Sequence, residues 1–133
     1  MSQKDDKADD DNYAAGLDIR RKMFGAAGAD EQIAAASDFT RPLQDFVTRT
    51  CFGETWTRPH LDHKTRSLIT LAILTTLGRQ NQVRTHVHGA IANGVSKEEI
   101  REVLMHSIIY AGLPASVDSF RTAGEVFKQL GLE

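Results

Sequence analysis

The sequence predicts an all-α fold, a compact bundle of about six helices. Apolar residues recur at spacings of three and four along most of the chain, and β-branched residues nowhere alternate with polar ones over more than a few positions. Capping and stop signals also punctuate the apolar stretches at intervals of about a helix length. The 133 residues amount to about one domain, and 41% apolar content is enough for one core. Residues 1–12, "MSQKDDKADDDN", read as a disordered, solvated acidic tail, and 13–133 as a single helical domain.

Asn12 is a candidate cap for a first helix through "YAAGLDIRRKMFG", which sets Tyr13, Leu17 and Phe24 on one face and ends at Gly25. A second helical region, about 30 to 51, carries Ile33, Phe39, Leu43, Phe46 and Val47, with Pro42 marking a break or restart. Gly, Trp and Pro in "CFGETWTRPHLD" (51–62) give an ordered loop. Asp62 is placed to cap "HKTRSLITLAILTTLGR", whose apolar residues cover nearly every face, making that helix central. The next helix gathers Val83, Val87, Ala90 and Ile91 on one face and closes at Gly94. "SKEE" (96–99) is a capping box ahead of Ile100, Val103, Leu104 and Ile108. Gly112 stops that helix, and Pro114 starts a last one that buries Val117, Phe120, Val126, Phe127 and Leu130.

Composition excludes several classes of function. Sixteen Lys and Arg are scattered among eighteen Asp and Glu, for a net charge of −2, so no basic patch invites nucleic acid. The lone Cys51 rules out an internal disulfide and a Cys-x-x-Cys pair, and fits a reducing compartment. "LITLAILTTLG" (68–78) is too short to span a bilayer, and the N-terminus lacks the apolar core of a signal peptide. The expectation is a soluble cytoplasmic protein with no membrane partner. Neither G-x-S-x-G nor a phosphate-binding glycine loop is present.

The remaining chemistry lies in a few polar side chains. His86 and His88 stand about 200° apart around a helix, so they do not share one ion. His60 and His63 find no third ligand, so no metal site is expected. Cys51 beside Phe52 reads as a small buried apolar residue. His86 borders the Val83–Val87–Ala90 face, where burial could tune an imidazole for proton transfer or simply pack a hydrogen-bonded core residue. Arg84 turns away from His86 and is either structural or reaches a neighbouring subunit. In "ETWTRPH" (54–60), Trp56 and Arg58 make either a partly apolar anion site or a loop anchored by its indole. Tyr110 could donate a phenolic hydrogen bond or serve as a packing residue.

Four segments then carry a resemblance: "YAAGLDIRRKMFG", "FGETWTRP", "TRSLITLAIL" and "VRTHVHGAIANGVSKEEIREVLMHSIIYAGLPA". With them the chain resembles the carboxymuconolactone decarboxylase family of the alkylhydroperoxidase-D-like all-α superfamily. W-T-R-P and the R-x-H followed by N-G-V are the most specific parts. The peroxidase branch of that superfamily carries Cys-x-x-Cys-x-x-x-His. Setting its histidine on His86 puts the cysteine positions on Arg79 and Gln82, so the thiol chemistry is missing.

The resemblance implies loss of CO2 from a carboxylated butenolide in the protocatechuate branch of aromatic degradation, yielding the enol-lactone of β-ketoadipate. The electron pair freed by the broken bond flows through the ring alkene to the lactone carbonyl, so the lactone carboxylate substrate is its own electron sink and no cofactor is required. It further implies that His86 supplies the proton, Arg58 holds a carboxylate, Trp56 walls the pocket, and Arg84 binds substrate across a subunit boundary. Tyr110 and His63 orient the substrate or stabilise the oxyanion. A ring-like homo-oligomer, hexamer or trimer, is implied as well. His106 stands where the family pattern has an uncharged amide, and Ser116, Val117 and Asp118 stand where Ala and Asn are more usual. These departures leave open a paralogue acting on a related lactone or keto acid, or a noncatalytic oligomeric member.

Overall fold

The computed structural model describes residues 3–133, which are helical with no strand among them. The chain divides into two compact units, Met1–Leu61 and Asp62–Glu133, with the boundary at the end of the Trp-Pro loop. Among the described residues, no helix is long and apolar enough to cross a membrane.

The first unit holds α1 (Gln3–Gly28), α2 (Asp30–Ala34), α3 (Arg41–Phe46) and a π-helix (Val47–Thr55). Asn12 does not cap α1, which starts well before it; Met1 and Ser2 lie outside the described residues. The stretch expected to be a loose tail is solvent-exposed from Asp5 to Asp11 but helical, with Asp5 and Asp6 in the first turn, where carboxylates suit the helix dipole. The Asn12 amide instead donates to Glu54 Oε1 at 3.3 Å. Gly25 breaks the helix as expected, at φ 69°. Pro42 sits in the first turn of α3, the restart its ring allows.

The π-helix is the main departure from expectation. The composition of 51–62 predicts a loop, but the wide helix runs through residues 51–55, and Trp56 N donates to Cys51 O at 3.1 Å in the i→i−5 pattern. Two glycines let α1 and the π-helix meet backbone to backbone. A methyl at Gly16 would collide with the Thr48 carbonyl, and one at Gly53 with the Asn12 carbonyl. Ile19, Met23, Phe52 and Trp56 form the core of this unit, with the Phe24 ring edge-on to Phe52 at 5.8 Å.

Arg20 is buried beside them and has only neutral hydrogen-bond acceptors. Its guanidinium donates to Gln44 Oε1 (2.9 Å), Thr48 Oγ1 (2.9 Å), the Gly28 carbonyl (3.1 Å) and Gln32 Oε1 (3.4 Å). One side chain thus ties the end of α1, α2, α3 and the π-helix together. Burial lowers its pKa, opposed in part by Tyr13 and Asp30.

The second unit is α4 (His63–Leu77), α5 (Gln80–Ala92), α6 (Lys97–Ala111) and α7 (Leu113–Gln129). Its punctuation follows the sequence closely. The Asp62 carboxylate accepts from Thr65 N at 2.7 Å, Ser96 and Glu99 close a capping box, and Gly112 at φ 96° turns the chain into Pro114. Leu71, Val83, Val87, Ala90, Leu104 and Val126 are the centre of the core. The expectation of burial fails at Val117 and Leu130, and along one side of α4, where Ile69, Ile73 and Leu77 face outward.

Gly16→Ala is expected to destabilise the chain by about 3 kcal/mol or more, because both colliding partners are backbone and cannot swing aside. Urea unfolding of the variant checks this. Gly124→Ala, where an added methyl meets nothing, should change stability by less than about 1 kcal/mol.

Candidate active site

The side chain with the most altered chemistry is His86, on α5. Val83, Val87 and Ala90 on this helix are fully buried, which fixes its rotation and carries His86 partly into the interior. Desolvation pushes the imidazole pKa from 6.5 down to about 4. The ring is therefore neutral at pH 7 in the unliganded chain. A neutral imidazole can accept a proton, but it acts as a strong acid only after gaining one.

Polar groups that pattern reading did not single out lie buried in the same unit. Thr75 Oγ1 and Ser119 Oγ are 2.9 Å apart, Gln80 Nε2 donates to Ser119 Oγ at 3.1 Å, and Thr122 Oγ1 donates to Gln80 Oε1 at 2.6 Å. This chain of hydrogen bonds joins α4, α5 and α7. Asn93 Nδ2 donates to Ser67 Oγ at 3.0 Å, joining the end of α5 to α4. A usable signal was present: Ser67, Thr75 and Ser119 interrupt runs of otherwise apolar core positions.

The other expected site residues are distributed as follows. Arg84 forms an ion pair with Glu125 on α7. Tyr110 is 79% exposed and lies against the His106 ring, with centroids 5.1 Å apart. His63 is the first residue of α4, next to the Asp62 cap. Trp56 and Arg58 belong to the first unit. The indole is only 9% exposed and packs on Phe52 at 5.5 Å, so it anchors the loop. Arg58 is exposed, its backbone N–H donating to Thr55 O at 3.2 Å. Cys51 is half-buried, and burial pushes its thiol pKa up, away from a reactive thiolate. Among the described residues, no three of His, Cys, Asp and Glu gather as they would around an ion.

Comparison with known proteins adds chemistry to this geometry. Residues 41–125 match the model of the carboxymuconolactone decarboxylase family. The chain is 40% identical to 4-carboxymuconolactone decarboxylase of Acinetobacter baylyi, over 93% of this chain and 92% of that one. It is 36% identical to nitrosuccinic acid decarboxylase of Metarhizium robertsii, over 80% of this chain and 75% of the relative.

The state of His86 can be read from stability. The unfolded imidazole takes up a proton near its ordinary 6.5, while the folded one resists until about 4, so the unfolded chain binds more protons across that window. Stability from this group is complete above pH 6.5 and falls by up to about 3 kcal/mol as pH drops to 4. Urea unfolding of His86→Asn should lack that part of the decline. Parallel curves for wild type and variant would mean that the imidazole titrates normally.

Proposed function

Because the chain belongs to the carboxymuconolactone decarboxylase family, we propose that it removes CO2 from 4-carboxymuconolactone to give the enol-lactone of β-ketoadipate in protocatechuate breakdown. The observation that carries the reading is 40% identity along nearly the full length of both chains. In the reaction the bond to the carboxylate breaks, CO2 leaves, and the electron pair moves through the ring alkene onto the lactone carbonyl. The resulting dienolate then takes a proton at a ring carbon. The substrate accepts the electrons itself, so this scheme routes no step through a coenzyme.

His86 is assigned to the proton. The unliganded ring is neutral, but a dianionic substrate beside it favours the imidazolium, because an opposite charge stabilises the protonated form. Binding would thereby bring the proton in with the substrate, and the charge dispersed in the transition state would draw it onto carbon. Arg58 is assigned to a substrate carboxylate. Trp56 is assigned to the pocket wall, its indole packed on Phe52 just before Arg58 in the chain. Arg84 would have to leave Glu125 to bind substrate across a subunit boundary. Tyr110 and His63 are assigned to orientation or the oxyanion. The same reading includes a cytoplasmic homo-oligomer, a hexamer or trimer, supported by the large apolar side chains that α4 and α6 leave exposed.

A second reading, a paralogue acting on a related acid, is favoured by the similarity to nitrosuccinic acid decarboxylase and by His106 and Ser116–Asp118. A nitro group, like an unsaturated lactone, can accept the electron pair of a departing carboxylate.

Purified enzyme should consume 4-carboxymuconolactone, followed by its ultraviolet absorbance, at a rate that chelator does not change. His86→Ala should lower kcat by about 100-fold or more. Arg58→Ala should raise KM about tenfold and make it less sensitive to salt. Wild-type turnover by His86→Ala would remove the proton assignment while leaving the activity. No turnover of the lactone alongside turnover of nitrosuccinate would favour the second reading.

A further inference from the structure

Among the described residues, the backbone takes a positive φ at five glycines, Gly25, Gly78, Gly94, Gly112 and Gly131, and at one residue with a side chain, His60, at 78°. Glycine meets no clash in that region, whereas the Cβ of any other residue crowds its own backbone. The chain thus places glycine wherever else it needs this conformation. His60 is the exception.

Its place in the loop accounts for the conformation but not for the side chain. Pro59 and His60 turn the chain after the π-helix. A proline followed by a left-handed residue is the pattern of a type II turn, which favours glycine or asparagine at the second of the two positions. The imidazole adds nothing to that turn. It is exposed, and it makes no hydrogen bond, ion pair or ring contact among the described residues. The strain at His60 is therefore not offset by any contact within the chain, and strain of that kind collects where ligands bind.

The neighbouring residue identifies the class of ligand. Two chain steps of about 3.8 Å keep the Cα atoms of Arg58 and His60 within roughly 7.6 Å of each other, so one small anion is in reach of both side chains. The base of the loop is fixed: Thr57 Oγ1 donates to the Gly53 carbonyl at 2.6 Å and Arg58 N to Thr55 O at 3.2 Å. An imidazole carries an N–H in either protonation state and a guanidinium carries several, so the pair can offer a donor to each oxygen of a carboxylate. We infer that His60 is a second substrate-binding residue, whose ring N–H donates to the carboxylate held by Arg58. The inference deepens the decarboxylase reading and rests on it for the Arg58 assignment. Glycine would suit the backbone better at position 60 but has no group with which to bind.

Stability and binding, read together on the full chain, test the inference. The probes are an unreactive dicarboxylated lactone for thermal melting and 4-carboxymuconolactone for turnover. Without ligand, His60→Gly should melt about 3 °C above wild type, because the clash is gone. It should lose most of the rise in melting temperature that the unreactive lactone gives wild type, and should raise KM about fivefold with kcat within about twofold. His60→Asn tolerates the same backbone and keeps an amide donor, so its KM should stay within about twofold of wild type. A glycine variant that binds as wild type does would overturn the inference. One no more stable than wild type would do the same, since the strain would then be absent. If wild type leaves 4-carboxymuconolactone unchanged, the decarboxylase reading fails by itself, and the inference stands or falls on whether the rise in melting temperature depends on His60. A wild type that neither turns over the one lactone nor gains stability from the other would overturn both.

Discussion

The buried face of α5 is the constraint on which the chemistry of the second unit rests. Val83, Val87 and Ala90 are fully enclosed, with α4 and α7 packed against their helix. Turning α5 enough to solvate His86 would bring one of the valines toward water, at about 1.5–3 kcal/mol for each side chain exposed. The helix therefore holds the imidazole where water is scarce, and the scarcity of water keeps it neutral. The packing of apolar side chains in this way alters the proton affinity of a residue about one turn or less along the same helix.

Polar contacts then fix the orientation that apolar packing leaves loose. The Thr75–Ser119–Gln80–Thr122 chain joins three helices through hydrogen bonds whose members would be costly to bury singly. In the first unit Arg20 has a similar part, gathering three glutamine and threonine side chains and one backbone carbonyl around a single cation. Neither group needs to touch a substrate. Each restricts the motions of the helices it joins within its own unit, the kind of preorganisation from which binding gains.

The helix boundaries of the second unit were legible because they are set by local chemistry: a carboxylate at Asp62, a reciprocal pair at Ser96 and Glu99, and a glycine before a proline at 112–114. The buried side of α5 was legible from its period for the same reason. The π-helix was not, because its cause is the distant approach of Gly16 to Thr48 and of Gly53 to Asn12, which no window around residue 50 contains. The apolar ring of α4 misled because periodicity counts apolar residues without telling which of them the fold covers; Ile69, Ile73 and Leu77 are as apolar as Leu71 but lie at the surface. At the site, the position of His86 was readable, while its charge state needed the burial that only the fold supplies. Trp56 reads as either wall or anchor in the sequence, and only the fold supplies its packing on Phe52.

With His86 as the proposed acid, the proton it gives is absent until the substrate arrives. Calorimetric titration with an unreactive dicarboxylated lactone at pH 7, repeated in buffers of different ionisation enthalpy, counts the protons taken up on binding. The account predicts close to one proton per chain, and none for His86→Ala. Binding of the analogue without proton uptake by the wild type would contradict it.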